Sequence, residues 1–345
     1  MYDKKLLVLL GFILTLLVFY LFDGNQFIKG QALKTNNILY KYGILQQVNT
    51  DKATSRQDRQ ETFHFNRHFP GYSSLSYEYK VSLNISQEIL TTIRENCRKK
   101  GISTEWNLRK NFSKPRLLIA KTEYHILYGS NPKTGSTSFK KFLYHLDGDF
   151  VSRNFHKYSG GHYETVENST FFANEQNFDD YVKILSIRNP ITRLISAFRD
   201  KQLRENLLFK VEGNMTDSEQ FVKLIKMMKI KHKVHNNDAH FMPQWQQMDI
   251  CRFPYDVVIQ FEDAKRYTNL VQHLTKTTKV EFSGSRVETG KDARDTMYYV
   301  NEYWGALTDQ QKSFVYKTYS MDFQILGYSK VEDPLFSLLN YQNSL

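Results

Sequence analysis

Apolar residues recur along this chain with two different periods, and the changes between them mark its elements. Residues 6–22 stand apart as an unbroken run of apolar or weakly polar side chains behind Lys4 and Lys5. As a helix this run rises about 25 Å, the lower end of the membrane-spanning range. Residues 23–69 hold scattered apolar positions with no sustained period, which reads as a stem. A helix is predicted over 86–99, with Ile89, Leu90 and Ile93 on one side and Ser86 as its N-cap.

From there the two periods alternate. A short apolar run ending at Tyr128 predicts a buried strand, and Phe139, Phe142, Leu143 and Leu146 recur at helical spacing after it. Residues 145–178 look loop-rich. The β-prone run 182–187 predicts a second strand, Arg188-Asn189-Pro190 breaks it, and Ile191, Leu194, Ile195 and Phe198 mark a second helix. An amphipathic helix follows around Phe221, Leu224, Ile225 and Met228. After it come a strand over 255–261 and a helix bearing Tyr267, Leu270, Val271 and Leu274. Strand and helix in alternation predict an α/β fold, a mostly parallel central sheet flanked by helices. The expected order is a cytosolic tail (1–5), a transmembrane anchor (6–22), a stem and N-terminal extension (23–110), a main domain (111–330) and a C-terminal tail (331–345).

The loops after the two strands carry the chemistry. The segment 124–146 reads strand, loop, helix, and its loop holds Pro132, Lys133, Thr134, Gly135, Ser136, Thr137 and Ser138. A glycine there lets backbone N–H groups approach an anion, the helix start adds partial positive charge, and Lys133 adds a full one. In a parallel sheet Arg188 ends the second strand at the same crevice, with Ser196 about two turns into the next helix. Singly, Arg188 reads as a solvated loop cation and Ser196 as an ordinary helix hydroxyl. Together with the first loop they suggest a ligand with two separated anionic ends.

The chain has 345 residues, 41% of them apolar, which is ample for a core, and 47 basic against 36 acidic residues give +11. That charge suits an anionic partner. Four N-glycosylation triplets, at Asn84, Asn111, Asn168 and Asn214, fit a luminal body behind an uncleaved anchor, with the lysines cytosolic. A cleaved signal peptide is the rival reading of residues 6–22. The two cysteines, Cys97 and Cys251, either pair in an oxidising lumen or remain buried thiols. Neither has the spacing of a zinc site, and no metal is expected. No RNA- or DNA-binding module signature is present, so nucleic acid is not an expected partner.

Several common anion-binding chemistries lack their signature. Counting from Gly129 puts Thr134 where a Walker loop has its second glycine, and no lysine follows Gly135. The dinucleotide fingerprint, HExxH and GxSxG are absent too. What remains resembles a known family. Residues 132–138 resemble the 5′-phosphosulfate loop of the sulfotransferases, and Arg188 with Ser196 in RNPITRLISAFRDK resembles their 3′-phosphate motif. HFMPQWQQMDICRFPYDVVIQFE (240–262) and LTDQQKSFVYKTYSMDFQILGYS (307–329) are similar to segments of the Golgi carbohydrate 4-sulfotransferases, which include the chondroitin, dermatan and HNK-1 enzymes. The loop PKTGSTSF is nearer to the broader form that includes the 2-O-sulfotransferases. Cys251 matches the second cysteine of a family pair, with Met248 at the place of the first, which leaves Cys97 as its candidate partner.

The resemblance implies a sulfotransferase fold and a donor, 3′-phosphoadenosine 5′-phosphosulfate. Its 5′ end would lie on Lys133, Thr134, Gly135, Ser136, Thr137 and Ser138, and its 3′-phosphate on Arg188 and Ser196. Lys133 would stabilise the leaving oxygen, and His240 would act as general base, with His156 and His162 as rivals. Glu262 reads as structural. The acceptor would be an acidic or neutral glycan, with a glycosaminoglycan and 4-O-sulfation of the chondroitin or dermatan type favoured. Lys223, Lys226, Lys229, Lys231, His232 and Lys233 form either a face for a polyanion or a solvated helix surface. The enzyme would be a single-pass Golgi membrane protein with its main domain luminal. The alternative is an inactive luminal protein that keeps the fold and binds glycans.

Overall fold

Five strands, β1 (Leu118–Lys121), β2 (Ile126–Gly129), β3 (Glu164–Thr165), β4 (Val182–Ile187) and β5 (Val257–Gln260), make one sheet among the described residues, in the order β3-β1-β2-β4-β5. The computed structural model describes residues 76–105, 118–146, 164–165, 180–211, 213–230, 238–275 and 296–330. The expected anchor, the tail 331–345, Asn111, Asn168, His156 and His162 lie outside them. No described helix is long and apolar enough to cross a membrane.

The sheet is more mixed than the sequence pattern predicts. β2, β4 and β5 are parallel, but β1 runs antiparallel to both β2 and β3. Only residues 122–125 separate β1 from β2, far too few for the crossover that a parallel pair requires, so the chain turns straight back. The expected parallel sheet is thus a core of three strands with an antiparallel margin.

Within the parallel core, side chains alternate between two buried faces. Ile126, Tyr128, Ile184, Val257 and Ile259 pack with Phe139, Phe142 and Leu143 of α2 (Ser136–Leu146), whereas Leu127, Leu185, Ile187 and Val258 pack with the opposite layer. Tyr128 and Phe139 stack with ring centroids 3.9 Å apart, which fixes α2 against the strand that precedes it. A third cluster joins α3 (Pro190–Phe198) to α4 (Asp217–Ile230) and to the aromatic residues Tyr303 and Trp304.

The helix expected over 86–99 begins nine residues earlier. α1 (Tyr77–Lys99) is capped by Ser76, whose hydroxyl accepts the Tyr79 N–H, and Ser86 lies buried in its middle. Serines on the inner face masked its first turns in the apolar pattern. Ser82 donates to the Arg266 carbonyl at 2.7 Å, and Ser86 accepts the Val258 N–H at 2.7 Å. α1 therefore covers the outer edge of β5, where an unpaired ladder amide would otherwise remain. A disulfide between Cys97 and Cys251, 154 residues apart in sequence, ties the end of α1 to the segment before β5.

Ser86→Ala leaves the Val258 amide buried without an acceptor, and we expect a loss of about 1–3 kcal/mol in denaturant unfolding. Replacing Cys97 and Cys251 together by Ala should cost about 2–5 kcal/mol. Unfolding curves that superimpose on the parent's would show that α1 does not clamp the sheet edge.

Candidate active site

β2, β4 and β5 all end at one edge, so the loops that follow them meet there. The first loop, 130–135, is held by its own backbone. The Asn131 N–H donates to the Gly129 carbonyl at 2.9 Å, and the Thr134 hydroxyl donates to the Asn131 carbonyl at 2.8 Å. Lys133 and Gly135 both adopt left-handed backbone, with φ of 67° and 84°. At Gly135 a Cβ would also fall 2.7 Å from the Phe261 ring, so both conformation and space require glycine. The turn delivers the start of α2, whose first-turn amides have no carbonyl one turn earlier in the helix. Ser136 and Ser138 are half-buried there and Thr137 is exposed, while buried Thr134 braces the loop.

The second loop meets the first directly. Arg188 Nη1 donates to the Lys133 carbonyl at 3.0 Å, Nε donates to Thr192 Oγ1 at 3.1 Å, and the guanidinium lies 4.5 Å from the centroid of the Phe261 ring. Asn189 caps α3 through the Ile191 N–H. Glu262 accepts the Asn189 N–H at 2.7 Å and the Tyr328 hydroxyl at 2.9 Å, bracing this loop. Burial pushes its carboxyl above the usual carboxylate range, and Arg188 opposes the shift. Ser196 is half-buried two turns further along α3.

A third loop is fastened by Arg193, which is 1% exposed. Its guanidinium donates to the carbonyls of Pro132 (2.9 Å), Met242 (2.8 Å) and Ala239 (2.9 Å), and to the side-chain oxygens of Asn131 and Gln247. Gln244 adds a second tie. It accepts the Arg188 N–H, donates to the Arg188 carbonyl at 2.7 Å, and accepts from Asn131 Nδ2. The short helix α5 (Gln244–Gln247) is itself anchored by Asp322, which accepts the Gln244 and Trp245 N–H groups. Burial raises the Asp322 carboxyl to about 6 against the pull of those amides and of Arg193.

His240 sits on this third loop beside Ala239. Asp238 accepts its backbone N–H and lies 2.8 Å from Nδ1. With Nδ1 donating to that carboxylate, Nε2 keeps its lone pair, the form a general base needs. Burial disfavours the charge on Asp238, but hydrogen bonds from the His240 ring and N–H prevail and hold it below the usual carboxylate range.

Lys133 is ion-paired with Asp200, which also pairs with Arg204. Both belong to Arg199–Arg204, a wider π-type turn that continues α3. Burial lowers the Lys133 ammonium from its ordinary range, and Asp200 pulls it part of the way back. Farther off, α4 turns Phe221, Leu224, Ile225 and Met228 inward, with Lys226 and Lys229 exposed. Lys223 lies over the Phe209 ring, and residues 231–233 are outside the described set.

The expected residues Lys133, Gly135 and Arg188 thus converge, and His240 joins them through the loop that Arg193 fastens. Sequence reading missed Arg193, Asn131, Gln244, Asp200 and Asp238. The structure explains Arg193: Pro190 to Ile195 are all buried, so α3 is enclosed on every side and its one guanidinium must find internal acceptors. Among the described residues no group of three or more His, Cys, Asp or Glu forms a metal site.

Two loops bonded to each other, at the ends of adjacent parallel strands, form one crevice of an α/β fold, where such folds place their ligands. The chain belongs to the sulfotransferase family, whose sequence model matches residues 116–329. This membership makes it a sulfotransferase that uses 3′-phosphoadenosine 5′-phosphosulfate. It is similar to mouse carbohydrate sulfotransferase 8, 25% identical over 282 residues, covering 74% of this chain and 67% of the relative. The human protein of that name is 24% identical over 76% of this chain and 66% of its own, and zebrafish carbohydrate sulfotransferase 10 is 31% identical over 33% and 32%. The chain spans about two thirds of the length of the first two relatives. No solved structure matches it.

Arg193→Lys keeps the charge but cannot reach five acceptors, so it strands several buried carbonyls. We expect a stability loss of at least about 3 kcal/mol by thermal unfolding. Unfolding at the parent temperature would show that the fork does not hold the loops.

Proposed function

We propose that this sulfotransferase acts on carbohydrate, transferring sulfate from 3′-phosphoadenosine 5′-phosphosulfate to a sugar hydroxyl of a glycosaminoglycan or glycoprotein glycan. The observation that carries the reading is the direct bond from Arg188 to the Lys133 carbonyl, which joins at one crevice the two loops we read as anion-binding. The donor's 5′ end would lie on the backbone and hydroxyls of 134–138, where a side chain at Gly135 would clash with Phe261. Its 3′-phosphate would lie near Arg188 and Ser196.

Transfer would proceed in line. The acceptor oxygen bonds to sulfur as the bond from sulfur to the bridging oxygen breaks, releasing 3′-phosphoadenosine 5′-phosphate. Lys133 stabilises the negative charge that grows on the bridging oxygen. His240, with Nδ1 held by Asp238, takes the hydroxyl proton at Nε2. The same resemblance around 240–262 favours 4-O-sulfation of the chondroitin or dermatan type.

The remaining organisation is proposed on sequence grounds. Residues 6–22 anchor the chain in the Golgi membrane as a type II protein, and 111–330 form the luminal catalytic domain, with α1 from the N-terminal extension clamped onto it by the disulfide. Asn84 and Asn214 are exposed, as glycan attachment requires. The lysines of α4 offer a surface for a polyanionic acceptor.

Labelled donor offered to the full-length chain with a panel of desulfated glycans should give transfer to at least one of them. Lys133→Ala should abolish transfer, and Arg188→Ala should chiefly weaken donor binding in calorimetry. His240→Ala should lower kcat by roughly 10²- to 10⁴-fold with donor binding retained. Unchanged kinetics in Lys133→Ala and Arg188→Ala would refute the site, and a fully active His240→Ala would remove His240 as the base.

A further inference from the structure

The one ammonium in the first loop already has an anionic partner. Asp200 is drawn from α3's continuation, far from the loop in sequence, and its side chain is 11% exposed. Three cations surround its carboxylate: Lys133, Arg204 through Oδ1, and Lys201 at 4.0 Å from Oδ2. Glu205 in turn takes Lys201 and Arg204. The cluster therefore has two directions in which the Asp200 charge can be satisfied. One faces the loop through Lys133, and the other faces solvent through Arg204, whose side chain is 69% exposed.

An ammonium so paired cannot give its full charge to another anion. We propose that Asp200 is a positioning residue that competes with the donor for Lys133, releasing the ammonium as the phosphosulfate arrives and falling back onto Arg204 and Lys201. This rests on reading 132–138 as the phosphosulfate loop. The pair has a use beyond competition. Lys133 is three-quarters or more enclosed, and burial works against its charge. Asp200 keeps the ammonium protonated and held near the loop, so the donor meets a charged group already in place. A purely structural salt bridge would make the opposite prediction, because breaking it would loosen the loop and weaken binding.

The test is calorimetric titration of the full-length protein with 3′-phosphoadenosine 5′-phosphate, alongside donor kinetics. Asp200→Asn removes the competitor and should tighten nucleotide binding at least about fivefold, as expected for a modest coupling between two sites. The donor KM should fall without a matching rise in kcat. Asp200→Glu restores a carboxylate and should return affinity toward that of the unmodified protein. Arg204→Gln acts in the opposite direction. It removes the closer of the two alternative partners, leaving Asp200 to Lys133 and the more distant Lys201, and should weaken nucleotide binding; at so exposed a position it spares the fold if Asp200→Asn does not.

Equal or weaker nucleotide binding by folded Asp200→Asn would overturn the proposal, as would unchanged affinity in Arg204→Gln. If the unmodified protein itself bound no nucleotide, the phosphosulfate-loop reading would fall and the role of Asp200 with it. Binding by the unmodified protein with the wrong sign in the variants would overturn the role of Asp200 alone.

Discussion

The guanidinium of Arg193 is withdrawn from water into the middle of the fold, where an ion left without partners would lose several kcal/mol. Its hydrogen bonds go to three backbone carbonyls and two side-chain amide oxygens, and the carboxylate of Asp322 supplies a more distant counter-charge. Because a guanidinium is planar with five fixed donors, its acceptors must come to it. Pro132 and Asn131 are thereby set against Ala239, Met242 and Gln247. The distance between the first loop and the His240 loop is then fixed by one rigid group.

From that fork the rest of the crevice follows. Gln244, on the same short helix as Gln247, meets the Arg188 backbone through both its N–H and its carbonyl, much as a neighbouring strand would. Arg188 is then aimed back at the Lys133 carbonyl, and Phe261 fills the space under both Arg188 and Gly135. Substrate-binding loops hold their shape only if the groups beneath them cannot rotate. Here Asn131 and Gln244 are buried amides bonded through both their oxygen and their nitrogen. The left-handed backbone at Lys133 is unusual for a non-glycine residue, and it persists because the carbonyl of that residue is bonded by Arg188 and its side chain by Asp200.

The first and second loops were legible in the sequence because each follows a short β-prone run and precedes an apolar helical period. Pro132 to Ser138 and Arg188 to Pro190 stand out as interruptions. The parallel core was legible for the same reason. The antiparallel margin was not, since β1 is four residues long, β3 two, and their pairing depends on partners distant in sequence. Ser82 and Ser86 hid the start of α1 by putting hydroxyls where the periodic signal requires carbons. Their acceptors and donors, Arg266 and Val258, lie over 170 residues away. Arg193, Asp200 and Gln244 were missed on the same grounds. A polar side chain identifies its role through the atoms it meets, and those meetings are tertiary.

Each loop cation has a carboxylate at hand, Asp200 for Lys133 and Glu262 for Arg188. Both cations are largely withdrawn from water, which works against their charge. Local carboxylates offset that cost, but they also oppose an incoming anion. The balance can be struck because the two carboxylates are held differently. Glu262 is fixed by the Asn189 amide and the Tyr328 hydroxyl, so it stays to brace the second loop. Asp200 has alternative cations on its own helix turn, so its hold on Lys133 is the weaker constraint. On the proposed reading, the first loop is therefore the side that yields to the ligand, and the second is the side that receives it already formed.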